Sequence, residues 1–410
     1  MAIIKPFKAY RPSDAAEKIA CPPYDVISSE EARKMAEGNP ISFLHIDKPE
    51  IDLPAGTNLY DNSVYTKGRE NLDKFISEGI LKEEKKPCLY IYAQTMEGRT
   101  QYGIVAATST EEYDKGIIRK HELTRKDKEE DRTRHIQTLG ATTGPVFLTY
   151  PDDEKINIIV ADICKNEPVY DFTTEDKIRH RVWIIADDII INTLEEEFKK
   201  IPLLYIADGH HRSASASNNA RQKREQNPNH TGQESYNYFL SVIFPASQLY
   251  IMAYNRLVRD LNGLTKQEFF DALKESFDIE DTSLQVPPTR HKFCMYIDKK
   301  WYLLTAKPNI FNANNPVDCL DVSILQNKVL APLLNISDPR TDKRISFVGG
   351  IRGTKELVKE VDSGKYKIAF SMYPTSIEEL IKVADKNLIM PPKSTWFEPK
   401  LRSGLLIYKY

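Results

Sequence analysis

The stretch Leu204-Tyr205-Ile206-Ala207-Asp208-Gly209-His210-His211-Arg212-Ser213-Ala214-Ser215-Ala216 runs an apolar strand through Asp-Gly into small residues compatible with a helix. His210, His211 and Arg212 therefore fall around a helix N-terminus, where the first backbone N–H groups have no partner in the helix and the dipole favours an anion. Gly209 lets the backbone approach a bound group closely. Arg212 offers a planar fork suited to phosphate oxygens, and the two imidazoles add donors. The segment reads as a phosphate cradle. Two alternatives stand beside that reading: a helix capped by Asp208 with hydrogen-bonded histidines, or a metal site on His210 and His211 with His135 or His121 as third ligand.

Upstream of this turn, period-two patterns at 88–92 and 101–107 flank Met96-Glu97-Gly98-Arg99 and predict a hairpin. Further strands are expected at 145–150, 156–160, 182–185 and 203–207, with a helix over 192–199. In the first segment, Cys21-Pro22-Pro23-Tyr24-Asp25-Val26-Ile27 is extended, because each proline disfavours helix in the residue before it. Ser28 or Ser29 then caps a short helix, and 60–78 reads as a helix stopped by Gly79. Downstream, 222–233 reads as a polar surface loop, followed by apolar runs at 238–244 and 249–254. The remainder has helices at 266–277, 322–330 and 376–384, a hairpin over 291–306, and strands at 345–348 and 367–372. Strands and helices mix without strict alternation, so the class is α+β. The segments are drawn as 1–85, a catalytic core at 86–250 and a C-terminal α+β region at 251–410.

A second stretch, 117–135, is dense in charge, with Arg119, Lys120, Arg125, Lys126, Lys128, Arg132 and Arg134 spread over several faces of a helix. Its later half fits a solvated helix laced by i,i+4 pairs. Its start, His121-Glu122, is different: a carboxylate among so many cations stays ionised and is able to accept a proton from a hydroxyl. Two weaker candidates are the Gly-rich turn in Phe347-Val348-Gly349-Gly350-Ile351-Arg352-Gly353-Thr354 and the donor-rich tail from Met390 to Lys400. The first is not a Walker A loop, and a plain tight turn suits it equally.

Composition bounds the function. The 410 residues carry 57 basic and 59 acidic side chains, a formal net charge of -2, with 41% hydrophobic and 10% aromatic residues. That is length for roughly two to three domains of about 150 residues, and it excludes disorder as the main state. A charge near zero argues against a dedicated nucleic-acid binder. The five cysteines, Cys21, Cys88, Cys164, Cys294 and Cys319, form no C-x-x-C pair, which fits a reducing cytoplasm. No signal-like core opens the chain and no apolar run approaches about 18 residues, so no membrane partner is expected.

At Asp208-Gly209-His210-His211-Arg212 the sequence resembles the ParB/sulfiredoxin-like superfamily, and within it the free serine kinases, whose phosphate-binding turn reads D-G-H-H-R. Those kinases carry an upstream His-Glu pair, matched by His121-Glu122. Over the whole length, Pro22-Pro23-Tyr24-Asp25-Val26-Ile27, His121-Glu122-Leu123-Thr124-Arg125, the 207–212 turn and Lys393-Ser394-Thr395-Trp396-Phe397 resemble a larger bacterial family, formerly of unknown function and associated with pyrophosphate-dependent serine kinases. The resemblance implies a mixed-sheet catalytic core with N- and C-terminal additions, and phosphorylation of free L-serine with pyrophosphate favoured over ADP. It implies Glu122 and His121 as catalytic residues and Gly209, His210, His211, Arg212, Arg125 and Lys126 as phosphate ligands. Thr124, Tyr24, Asp25, Lys393 and Ser394 would contact substrate, and Asp208 would help place Mg²⁺. The alternatives are an ADP-dependent serine kinase, a phosphoserine phosphatase, a kinase for another small hydroxyl compound, and a non-enzymatic ParB-like nucleic-acid-binding or regulatory module. Sulfiredoxin chemistry is disfavoured because His211, not cysteine, precedes Arg212, and a DNA clamp because no helix-turn-helix is evident.

Overall fold

Glu97 and Gly98 both take positive φ, 51° and 79°, the two-residue turn whose twist matches its flanking strands, and they close a hairpin of Leu89–Met96 with Arg99–Ser109. In the computed structural model, which describes residues 1–410, this hairpin is central to a nine-stranded mixed sheet. The strand order is Ile118–Arg119, Leu204–Asp208, Val146–Tyr150, Tyr238–Pro245, Arg99–Ser109, Leu89–Met96, Arg179–Ile185 and Tyr170–Thr173, with Ile4–Lys5 added alongside Arg99–Ser109. Val146–Tyr150 pairs in parallel with Tyr238–Pro245, and Ile118–Arg119 with Leu204–Asp208, while the other ladders are antiparallel. The class is α+β.

The sheet belongs to a first compact unit made of Met1–Lys120, Thr124–Leu249 and Pro399–Tyr410. Alternate strand residues such as Ile91, Ile104, Leu148, Ile206 and Ile243 share a core with Ile156 and Val160 of helix Glu154–Ile163 and with Ile191, Leu194 and Phe198 of helix Asp188–Lys200. A second core gathers Ala32 and Ala36 of helix Ser29–Ala36, Leu72 and Phe75 of helix Asn62–Ser77, and Leu139 and Ile407. Helix Lys126–Leu139 packs on helix His210–Gln226.

The second unit comprises His121–Leu123 and Tyr250–Glu398. Its six-stranded antiparallel sheet runs Phe277–Thr282, Lys300–Ala306, Lys292–Ile297, Ile368–Ser371, Tyr254–Val258 and Ile345–Gly349. Helix Gly353–Asp362 covers it through Leu357 and Val361. The units divide the chain differently from the three sequence segments. Residues 1–85 share a core with later residues, and the last twelve residues return to the first unit, where Tyr408–Lys409 pairs with Ala141–Thr142.

Three sequence expectations are corrected. Within 117–135, Ile118–Arg119 is a strand and the helix begins only at Lys126, so Arg119, Lys120 and Arg125 are not on it. The segment 156–160 is helical, not a strand: Asp153 caps it by accepting from the Lys155 and Ile156 amides, and Ile156, Ile159, Val160 and Ile163 recur at helical spacing. The polar stretch from 222 is helical as far as Gln226, because the turn at 208–209 starts a helix of 17 residues and the loop begins only beyond it. No helix is long and apolar enough to cross a membrane.

Gly103 supplies a test of the sheet. A Cβ there would lie 2.5 Å from Val242 Cγ1 and 2.7 Å from Phe244 Cζ. Gly103→Ala should therefore lower stability by about 1–3 kcal/mol through overpacking, read as a shift of the urea midpoint. An unshifted midpoint would contradict this packing.

Candidate functional site

The strand Leu204–Asp208 ends where Gly209 takes φ of 98°, a conformation L side chains rarely adopt, and Gly209 is the N-cap of helix His210–Gln226. Asp208 is thus not the cap. Its Oδ1 accepts from the Gly209 amide at 2.9 Å, and no side chain caps this N-terminus. The first helical turn, which carries His210, His211 and Arg212, follows directly on a largely buried strand, and its leading amides have no acceptor within the helix.

Arg212 is folded back beneath the turn. Its side chain is 9% exposed, its Nη1 donates to the Pro145 carbonyl, and its Nη2 lies 3.6 Å from Asp208 Oδ2 and 3.8 Å from Asp25 Oδ2. Its Nε is buried without a hydrogen-bond partner. Asp25 and Asp208 keep the guanidinium charged although burial alone would lower its pKa. The Pro-Pro-Tyr-Asp segment and the Asp-Gly-His-His-Arg turn, 183 to 187 positions apart for Asp25, meet at this one side chain.

Behind it lies a cavity of about 30 Å³, room for a water, lined by Tyr24, Asp47, Arg132, His135, Thr143 and Arg212. Arg132 stacks over the Tyr24 ring at 4.2 Å and pairs with Asp131 at 2.9 Å. Thr143 Oγ1 donates to Asp47 at 2.6 Å. His135 hydrogen-bonds the Ile46 carbonyl at 3.0 Å, and burial, reinforced by Arg132, pushes it down to about 4. That bond commits one of its ring nitrogens to the backbone. Asp47, Thr143 and Arg132 carried no distinctive sequence signal, beyond the membership of Arg132 in the charged run.

His211 Nε2 accepts from the Arg125 amide at 3.0 Å, which fixes the ring and ties the cradle to the start of helix Lys126–Leu139. The Arg125 guanidinium instead pairs with Asp127 at 2.8 Å, and the exposed Lys126 ammonium lies 3.8 Å from Glu130. Thr124 Oγ1 donates to Glu129 at 2.7 Å. The side chains of these three are therefore directed to acidic residues of helix Lys126–Leu139, and the Arg125 amide makes the contact with the turn.

His121, Glu122, Lys393 and Ser394 belong to the second unit. The His121 carbonyl accepts from the Met390 amide at 2.8 Å, and its Nε2 lies 3.4 Å from Thr395 Oγ1. Glu122 lines a cavity of about 390 Å³ with Leu123, Gln326, Asp338, Arg340 and Pro392. Buried Arg256 donates to the Lys393 carbonyl at 3.0 Å, Thr375 donates to the Ser394 carbonyl at 2.9 Å, and Ser394 Oγ donates to Pro391. The Gly-rich turn is absorbed by packing: a Cβ on Gly349 would sit 2.8 Å from the Trp396 indole, and one on Gly350 2.7 Å from Met252 Cβ.

Asp208 was the residue expected to help place Mg²⁺. Its Oδ1 is taken by the Gly209 amide, and its Oδ2 faces both Lys400 Nζ at 3.3 Å and Arg212 at 3.6 Å. Burial alone would raise this carboxyl, but Lys400 and Arg212 hold it well below the usual range. Both oxygens of this carboxylate are thus engaged by protein donors, with two cations facing one of them.

The chain belongs to the family described as a protein of unknown function (DUF1015), whose model matches residues 4–323. No curated protein matches the chain. Among solved structures it is similar to a free serine kinase in complex with AMP, at 11% identity over 74% of this chain and 92% of that one, with a TM-score of 0.36. A mutant free serine kinase in complex with ADP is 12% identical over 75% of this chain and 93% of that one, with a TM-score of 0.36. SbnI with a C-terminal truncation, from Staphylococcus aureus, is 12% identical over 74% and 87%, with a TM-score of 0.40.

The buried His135 predicts a pH effect. Its folded value lies below the ordinary 6.5, so between pH 6.5 and about 4 the unfolded chain binds the extra proton, and this contribution to stability falls as pH falls. The urea-unfolding difference between the wild type and His135→Gln should shrink by roughly 2–3 kcal/mol from pH 7 to pH 4. A pH-independent difference would contradict the assignment.

Proposed function

We propose that the chain is a phosphotransferase, built on a ParB/sulfiredoxin-like core, that converts free L-serine to O-phospho-L-serine with pyrophosphate as the favoured donor over ADP. The observation that carries this reading is the turn at 208–212, where a glycine-opened helix N-terminus, two histidines and a buried arginine with an unpartnered Nε converge. That is a set of donors matched to phosphate oxygens, in a sequence pattern shared with serine kinases.

In this reaction the serine hydroxyl oxygen forms a bond to phosphorus, the bond from that phosphorus to the bridging oxygen breaks, and inorganic phosphate leaves. Glu122 receives the hydroxyl proton, with His121 beside it in sequence; this role rests on the His-Glu motif. Gly209, His210, His211 and Arg212 hold the transferring group and offset its charge, with Arg125 and Lys126 adding positive potential. Mg²⁺ enters with pyrophosphate as its counter-ion, part of the substrate. Tyr24, Asp25, Thr124, Lys393 and Ser394 are assigned to substrate contacts. All five cysteines are free, which supports a cytoplasmic setting.

Incubation with serine, Mg²⁺ and either pyrophosphate or ADP, read as phosphoserine, tests the reaction and the donor together; no product from either donor would overturn it. Glu122→Gln should lower kcat by about a hundred-fold or more while donor affinity holds, and a fall of only a few-fold would remove Glu122 from the role of base. Arg212→Lys replaces a fork by a point charge and should weaken donor binding about ten-fold by calorimetry.

A further inference from the structure

Lys400 lies on the segment by which the chain returns to the first unit, and its side chain is only 14% exposed. Its Nζ lies 3.3 Å from Asp208 Oδ2, the same oxygen that Arg212 faces at 3.6 Å. Its backbone is also held. The Lys400 carbonyl accepts from Gln94 Nε2 at 2.9 Å, and Gln94 Oε1 accepts from Gln101 Nε2 at 3.1 Å. Gln94 and Gln101 are cross-strand partners in the central hairpin, 0% and 2% exposed. Two amides inside a sheet cost desolvation that an apolar pair would avoid, so their presence is accounted for by what they hold, the carbonyl of Lys400.

The charges around the turn explain why that lysine is needed. Arg212 faces two carboxylates, Asp208 and Asp25. Without Lys400 these three groups sum to one negative charge at a turn read as a phosphate cradle, which opposes a polyanion. With Lys400 they sum to zero, and the helix N-terminus and histidines then tip the balance toward the anion.

We propose that Lys400 is a phosphate-binding residue of this site, placed by the Gln94–Gln101 pair, and supplies beside Asp208 the positive charge that a metal ion would otherwise bring. The proposal rests on the phosphotransferase reading. When pyrophosphate binds, the ammonium shifts part of its interaction from Asp208 to the donor's oxygens.

The test is calorimetric titration of the full chain with pyrophosphate and separately with L-serine, with melting curves as the check on folding. Lys400→Met should weaken pyrophosphate binding by ten- to a hundred-fold and leave serine binding unchanged, while Lys400→Arg stays within a few-fold of wild type. Gln94→Leu, as a positioning variant, should raise the KM for pyrophosphate several-fold with the KM for serine unmoved. The double variant Asp208→Asn, Lys400→Met separates the two roles of the lysine. If it remains weak, Lys400 touches the donor; if it binds like wild type, Lys400 only neutralises Asp208 and the proposal is overturned. Wild-type affinity in Lys400→Met also overturns it while phosphoserine formation leaves the reaction standing. A wild-type chain that binds neither pyrophosphate nor ADP removes the reading and the proposal together.

Discussion

A buried guanidinium cannot shed its proton, so the first unit has to satisfy Arg212 where it lies. Much of the local structure follows from that constraint. The Pro145 carbonyl takes one nitrogen, and Asp25 and Asp208 share another. Gly209 is small because of it: a Cβ there would sit 3.2 Å from Arg212 Nε, whereas at Gly144 the tight neighbour would be Ser403 Oγ at 3.2 Å. The positive φ at Gly209 then fixes the direction in which helix His210–Gln226 leaves the strand, and with it the position of both histidines.

The same constraint explains why the chain's last residues belong with its first. Asp208 is tolerable near the end of a buried strand only because two cations share its charge, and one of them, Lys400, arrives on the returning tail. The tail is fastened along its length: Ser403 bridges to Cys21, Ile407 to Tyr10, and Tyr408–Lys409 pairs with Ala141–Thr142. Arg402 pairs with Asp176 and lies 3.4 Å from His180, whose pKa burial and Arg402 push down to about 3. Each bridge places the tail against a different part of the first unit, so Lys400 is held by backbone pairing as well as by its own ion pair.

What was legible in the sequence was local. Glu97-Gly98 announced its hairpin, and the helix starts expected at Ser28 or Ser29, at 266 and at 376 fall within a residue of those observed, where the structure shows the capping boxes Ser28 with Glu31, Thr265 with Glu268 and Ser376 with Glu379. The segment 156–160 misled because four of its five residues are apolar, and a short apolar run does not distinguish a buried strand from a helix; the Asp153 cap was the deciding cue. The site was legible as motifs, not as partners. Asp-Gly-His-His-Arg is visible in one line of sequence, whereas the Arg212–Asp25 approach and the Lys400–Asp208 pair join residues 187 and 192 positions apart, which no periodicity encodes. Nor could spacing reveal that His121–Leu123 groups with the second unit, since its anchor is a backbone bond from Met390.

The glycines show why residue type alone does not assign a role. Gly209 and the pair Gly349-Gly350 both sit where an added Cβ would be crowded. At Gly349 the neighbour is the Trp396 ring, which also makes an edge contact with Tyr254 at 5.1 Å, so the missing side chain makes room for an aromatic cluster. The φ values there are ordinary, and the sheet register continues to Gly349. At Gly209 the neighbour is a charged group with an unfilled donor, and φ is positive. Close approach to a packed ring completes a core, whereas close approach to a buried cation beneath a helix N-terminus leaves donors that only an anion or water can fill. That physical difference, absent from the letters, separates the turn at 208–212 from the other Gly-rich turn of this chain.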